Sequence, residues 1–382
     1  MSLTATLPVD SPAPAQRRYD TWLLITTLVL VAFGLLMVYS ASAYSAQEDF
    51  HDPMHYLYRQ GTAVVLGLGL LVGLARLPYR RLAEHASTLY GVALATLVMV
   101  WLPGIGHTAN GATRWVQLGG FNFQPAEMTK LVVLNGLAVW LHRNRADIHD
   151  PRVLLSSAAG LFPPLLLIVL QPDFGSTLII CMLCGAMYFL AGLRWSWIAA
   201  LGAVGTAALG VLMMAEGYRR DRITSFLDPF ANCEGSAYQV CQSLLAMHHG
   251  GWTGQGAGEG IAKLLFLPEP HNDFIAAVVG EELGLLGMVA LITGYGVFAW
   301  RGLRVARLAP DQYGRLLAGT FTLMIVVQAC LNLGVVMSVV PPKGLVLPFM
   351  SYGSTAMMMN LAAVGVLLSI SREAVVPESV PR

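Results

Sequence analysis

The feature that most constrains this chain is an apolar run of about 20 residues with few or no charges, repeated along its length. That is the length a helix rising 1.5 Å per residue needs to cross a bilayer's hydrocarbon core. Runs of this kind fall near 21–44, 61–75, 86–102, 124–142, 153–170, 174–193, 195–215, 274–300, 313–340 and 345–370. They predict an all-α polytopic membrane protein of about ten transmembrane helices, with one long extracytoplasmic loop between the seventh and the eighth. Composition agrees: of 382 residues 55% are hydrophobic and 12% charged, against about 25% charged in a soluble domain, and mean hydropathy is +0.61. Soluble enzymes, disordered chains, collagens and secreted disulfide scaffolds are excluded. A formal net charge of +1 gives no reason to expect a nucleic-acid partner.

Charge placement predicts the orientation. With the N-terminus inside, 15 of the 23 Lys and Arg fall in cytoplasmic segments, among them Arg80, Arg143, Arg301 and Arg372, so the positive-inside rule puts both termini in the cytoplasm. Residues 1–20 then form a cytoplasmic tail, 21–371 the membrane domain and 372–382 a second cytoplasmic tail. The first apolar run is longer than a signal h-region and reads as a retained span. The extracytoplasmic segment 216–273 carries Trp252, Leu264, Leu265, Phe266 and many glycines, and is expected to form an ordered, partly membrane-associated cap. On the oxidising side of the membrane, Cys233 and Cys241 are expected to pair.

Ionisable side chains within or beside a span are costly and mark functional candidates. Arg114 precedes the fourth span; Glu127 and Lys130 open it, three residues apart and so on one helix face. These three are expected to act as one unit, though Glu127 and Lys130 also read as a structural ion pair. Asp173 in Gln171-Pro172-Asp173-Phe174-Gly175 and Asp273 at the start of the eighth span both read equally as helix N-caps. Glu281 and Glu282 follow Asp273 inside an apolar helix, where crowded carboxylates suit a general base. Ser351, in Ser351-Tyr352-Gly353-Ser354-Thr355, reads as helix packing or as lining. The run Gly250–Gly260 lacks the Lys-Ser/Thr of a phosphate loop, so no nucleotide is expected and its glycines are read as allowing close backbone approach.

Taken in order, Asn110-Gly111-Ala112-Thr113-Arg114-Trp115, Phe123-Gln124-Pro125-Ala126-Glu127, Gln171-Pro172-Asp173-Phe174-Gly175, His271-Asn272-Asp273-Phe274-Ile275, Gly280-Glu281-Glu282-Leu283-Gly284 and Leu347-Pro348-Phe349-Met350-Ser351-Tyr352-Gly353 resemble the SEDS family of bacterial shape, elongation, division and sporulation proteins, from the first span to the last. Lys343-Gly344-Leu345 is most similar to the cell-division branch rather than the elongation branch. Ser354 departs from the family's usual second glycine at that point.

The resemblance implies a peptidoglycan glycosyltransferase at the septal cytoplasmic (inner) membrane. Its substrate would be lipid II, the undecaprenyl-diphosphate-linked disaccharide-peptide, and its partners a class B penicillin-binding protein transpeptidase and other divisome membrane proteins. Asp273 would be the catalytic base. Arg114, Lys130 and Lys343 would hold the diphosphate, with Glu127 orienting Lys130 and Asp173 positioning a neighbour. A divalent metal, Mg²⁺ or Mn²⁺, can share that task through carboxylate oxygens. A lipid II flippase and a recruiting scaffold are the rival readings, and the outward clustering of the candidate charges favours the enzyme.

Overall fold

In this computed structural model the described residues are 19–109, 112–118, 121–214, 230, 233, 235, 237–264, 267–341 and 344–374. Among these residues twelve α-helices form: α1 (Thr21–Phe50), α2 (His55–Arg76), α3 (Arg80–Glu84), α4 (Ala86–Met99), α5 (Pro125–Arg143), α6 (Pro151–Leu170), α7 (Phe174–Leu190), α8 (Trp195–Met214), α9 (Tyr238–Gly250), α10 (Ile275–Leu308), α11 (Gln312–Val336) and α12 (Ser354–Arg372). Apart from the short α3 and α9, ten helices match the ten apolar runs. Among the described residues six of them (α1, α2, α6, α10, α11 and α12) are long and apolar enough to cross a membrane, and α4 and α7 are shorter apolar helices.

Two helix starts differ clearly from the sequence expectation. The second span begins earlier, at His55 rather than 61, because Gln60 is not at an aqueous end: it is fully buried and its Nε2 donates to the Ser351 carbonyl at 3.0 Å. The tenth begins later, at Ser354 rather than 345. Pro348 and the left-handed Phe349 (φ 66°) turn the preceding chain, and Ser351 Oγ accepts from Leu347 N at 2.8 Å.

The fold also carries one element the sequence reading did not anticipate, a three-stranded antiparallel sheet of β1 (Gly106–Ala109), β2 (Ala112–Leu118) and β3 (Phe121–Phe123) in the order β1-β2-β3. It lies between α4 and α5, so the helix ends there define a sheet end of the bundle.

Packing explains which helices form the centre. α10, α11 and α12 are largely enclosed, while α2 and α6 leave much of their apolar surface outward. In lipid the association of helices rests on close van der Waals fit, often through small residues. A Cβ on Gly365 of α12 would stand 2.6 Å from the Leu71 carbonyl of α2, and one on Gly67 of α2 would stand 2.6 Å from the Leu361 side chain, so this crossing tolerates only glycine. In α6, Pro164 removes the amide that would bond the Gly160 carbonyl; Tyr90 of α4 donates its hydroxyl to that carbonyl at 2.6 Å.

The opposite end is stitched by polar bonds. Asp20, the N-cap of α1, pairs with Arg301 of α10 at 2.6 Å, and its amide donates to Ser371 Oγ of α12 at 3.1 Å. Asp311, the N-cap of α11, accepts from Gly314 N at 2.7 Å and from Tyr79 Oη at 2.7 Å, and pairs with Arg80 at 2.9 Å. Partial burial by itself would raise the Asp311 carboxyl, but those three partners hold it below the usual carboxylate range. Stability from this group is therefore complete above the ordinary value of about 3.9 and is lost as pH falls through the lower folded value. Asp311→Asn is expected to lower the thermal unfolding midpoint at pH 7, with the gap from the parent protein closing below about pH 4. A gap that stays constant down to pH 3 would refute this linkage.

Candidate functional site at the sheet end

The sequence-selected residues gather at the sheet end, in two groups joined by the segment 344–353. The first group forms around Asp273. The cap residue of α10 is Phe274, with no side-chain cap bond, so Asp273 is not the N-cap that its position suggested. Its main-chain carbonyl accepts from Asn332 Nδ2 of α11 at 2.8 Å, and the same amide donates to the Leu345 carbonyl at 2.6 Å. A Cβ on Gly344 would lie 3.2 Å from Asp273 Oδ2, so the segment 344–345 runs directly against the carboxylate.

Beside Asp273, the His271 ring packs between Tyr56 (4.3 Å between centroids) and Tyr352 (5.6 Å), and its carbonyl accepts from Tyr352 N at 2.8 Å. Burial pushes the His271 imidazole down to about 4. It is therefore neutral at pH 7 and adds no positive charge next to Asp273.

The second group forms around the start of α5. Lys130 Nζ pairs with Glu127 Oε1 at 2.8 Å and donates to Gln328 Oε1 at 3.2 Å, with both charged residues buried. Gln328 in turn donates to the Val346 carbonyl at 3.0 Å. Gln328 and Asn332 lie four residues apart on one face of α11 and together clamp the segment 345–346 to it.

Arg114 does not join Glu127 and Lys130 in a single cluster. It sits on β2, and its Nε and Nη2 donate to the carbonyls of Gln171 and Pro172 at 3.2 and 2.5 Å. It thereby braces the turn that carries Asp173. Asp173 is the N-cap of α7: its carboxylate accepts from Ser176 N at 3.1 Å, from Ser176 Oγ at 2.8 Å and from Gln124 Nε2 at 3.3 Å. Both groups meet the same segment, because a Cβ on Gly175 would lie 3.2 Å from the Leu345 side chain.

Glu281 and Glu282 are occupied differently from a catalytic carboxylate cluster. Glu281 accepts from the Ile261 and Ala262 amides at 3.0 and 3.1 Å. Glu282 pairs with Lys263 at 2.7 Å and accepts from Ser40 Oγ of α1 at 2.6 Å. Ser351 serves the fold of its own loop, as described above. Cys233 and Cys241 are joined by a disulfide that ties the stretch before α9 to its first turn. Lys343, proposed from sequence as a diphosphate ligand, lies outside the described residues, as do Arg219, Arg220 and Arg222 of the long loop.

Among the described residues no group of three or more His, Cys, Asp or Glu converges as a metal would require. A divalent ion would need oxygens from the substrate to complete its shell. A cavity of about 400 Å³ between α4, α5 and α6, lined by Tyr90, Val133, Arg143 and Gly160, holds none of the residues named as candidates from sequence.

Sequence reasoning missed Asn332, Gln328, Gln60, Ser40 and His271. The first two had a readable signal, since two amides at helical spacing interrupt an otherwise apolar run.

Comparison with known proteins gives a consistent picture. The family model described as cell cycle protein, FtsW/RodA/SpoVE, matches residues 20–375. A probable peptidoglycan glycosyltransferase FtsW from Thioalkalivibrio sulfidiphilus is 41% identical over 374 residues, covering 94% of this chain and 91% of that one. Its counterpart from Geobacter sulfurreducens is 39% identical over 360 residues, covering 93% and 95%. Stage V sporulation protein E of Bacillus subtilis is 38% identical over 354 residues, covering 92% and 97%. Among solved structures, a chain of a peptidoglycan synthase complex described as coordinating polymerization and crosslinking superposes with a TM-score of 0.76 at 30% identity, covering 93% of this chain and 98% of that one. Thermus thermophilus RodA, a rod shape determining protein, superposes with a TM-score of 0.69 at 30% identity, covering 93% and 97%.

Proposed function

We propose, from the premise that this chain belongs to the FtsW/RodA/SpoVE family of cell cycle proteins, that it is a multi-pass membrane peptidoglycan glycosyltransferase that polymerises lipid II, with Asp273 as its base. The observation that carries the assignment of the base is the setting of Asp273. It stands just ahead of the buried first turns of α10, its main chain is fixed by Asn332, and the cap position of that helix belongs to Phe274. A substrate with its lipid in the bilayer and its sugars outside needs a base at that depth.

In the reaction the acceptor sugar hydroxyl gives its proton to an Asp273 carboxylate oxygen as its oxygen bonds to the donor's anomeric carbon. The bond from that carbon to the diphosphate breaks, and its electron pair leaves with the diphosphate. A single displacement inverts the α-linked donor to a β-linked glycan. The leaving charge falls to Arg114 at the Asp173 turn and Lys130 beside the 345–346 segment, with Lys343, which lies outside the described residues, as a third cation by the family resemblance. Among the described residues no metal-ligand set converges, and a divalent ion, Mg²⁺ or Mn²⁺, would take its remaining oxygens from the substrate diphosphate.

The resemblance to relatives bearing the FtsW name supports a septal role in cell division. The solved peptidoglycan synthase complex supports a class B penicillin-binding protein as partner; other divisome membrane proteins follow from the family resemblance alone. This reading places both termini in the cytoplasm. Cysteines introduced within 142–152 or 301–312 should then be shielded from an impermeant thiol reagent in intact cells and those within 216–260 labelled; the reverse pattern would invert the site. The function itself is tested by mixing the purified full chain and its partner with lipid II. Glycan polymer is expected, whereas translocation of lipid II without polymer would favour the flippase.

A further inference from the structure

The site described so far leaves one buried charged cluster unexplained. α10 is broken at Gly284, whose backbone (φ 63°, ψ −159°) is not helical. The stretch from Ile275 to Glu282 is thus a short, fully buried rod with Asp273 just ahead of one end and the break at the other. Because the helical ladder is interrupted there, the long half of α10 does not by itself set the rod's direction.

Something lateral has to fix it, and the loop after α9 does so. The Gln255 and Gly256 amides donate to the carbonyls of Glu281 and Glu282 at 3.0 and 3.1 Å, and the Leu285 and Leu286 amides donate to the carbonyls of Gly251 and Trp252 at 2.9 and 3.2 Å. The backbones meet so closely that a Cβ on Gly254, itself at φ +83°, would stand 2.1 Å from the Glu282 carbonyl oxygen. At the centre, Lys263 Nζ reaches three elements at once: Glu282 Oε1 at 2.7 Å, the Gly258 carbonyl at 2.6 Å and Ser40 Oγ of α1 at 3.1 Å. The Gly258 amide closes the ring onto Glu282 Oε2 at 3.0 Å. Lys263 and Glu282 are both more than nine-tenths buried.

We propose that Lys263 is a positioning residue for Asp273: through Glu282 it locks the Asp273-bearing half of α10 to the glycine-rich loop and to α1. The inference rests on the reading of Asp273 as the base. Its role is to hold direction, since an error of about 1 Å in a reacting group can cost about a hundredfold in rate. Lys263 touches no reacting atom.

The test uses the purified full chain with its partner. Lys263→Met alone leaves Glu282 buried and uncompensated and can simply fail to fold, so the decisive variant is the neutral pair Lys263→Met with Glu282→Gln. It is expected to unfold near the parent temperature, to lose about a hundredfold in kcat with KM for lipid II unchanged within about twofold, and to exchange the amides of 274–284 faster by hydrogen-exchange mass spectrometry. Lys263→Arg, which keeps the charge and the donors, should retain kcat within a few-fold. Parent-like kcat in the neutral pair, or unchanged exchange in 274–284, would overturn the proposal. If the parent protein makes no glycan, the functional reading fails separately, and the exchange experiment still decides whether the brace holds the rod.

Discussion

Asp273→Asn is expected to lower the rate of glycan polymerisation by about 10²–10⁴-fold, the usual worth of a positioned general base, while expression, partner binding and lipid II binding stay close to the parent protein. Asparagine has the size of aspartate, but an amide does not take up the acceptor's proton near neutral pH. Helix capping gives no competing explanation, because Asn caps about as well as Asp and the cap position of α10 belongs to Phe274. The change also leaves in place the bond from Asn332 to the Asp273 main-chain carbonyl. The initial rate of lipid II consumption measures the effect. A loss smaller than about tenfold would make Asp273 a bystander.

The second large effect is on stability. Lys130→Met should destabilise the protein by about 3–5 kcal/mol, the range for breaking a buried ion pair, because it strands the Glu127 carboxylate away from water. Glu127→Gln with Lys130→Met removes both charges and should recover most of that loss, leaving Gln328 to bond the new amide. Thermal unfolding in one detergent compares the three proteins. Equal midpoints for Lys130→Met and the parent would mean that Glu127 is hydrated and the pair exposed. Arg114→Ala, bonded instead to the Gln171 and Pro172 carbonyls, should add independently to either variant, as groups without shared partners do.

These expectations show what the sequence disclosed and what it hid. The ten spans were legible because lipid demands long apolar runs, and that demand overrides local propensity. The charged candidates were legible because charges near lipid are expensive. Their partners were not, since pairing is a matter of tertiary contact: Arg114 lies only 13 residues before Glu127, yet it turns to the start of α7. The small sheet was hidden because its strands are three to seven residues long and its sequence is rich in glycine and polar residues, which read as loop.

The break in α10 escaped notice for the opposite reason. Gly-Glu-Glu-Leu-Gly-Leu-Leu-Gly fits an uninterrupted helix, and only the loop glycines that pack against it reveal the interruption. Lys263 lies in a glycine-rich loop where nothing in the sequence sets it apart, and only its burial against Glu282 does so. Neutral amides such as Gln328 and Asn332 cost less than charges and so stood out less, although they clamp the segment facing Asp273.

The central claim is that this chain joins lipid II units using the Asp273 carboxylate. The most direct test is polymer length on a gel after purified parent or Asp273→Asn protein, with its partner, is supplied with lipid II at concentrations giving equal occupancy. The account predicts long glycan strands from the parent protein and unextended lipid II from the variant. Strands of parent length from Asp273→Asn would contradict it.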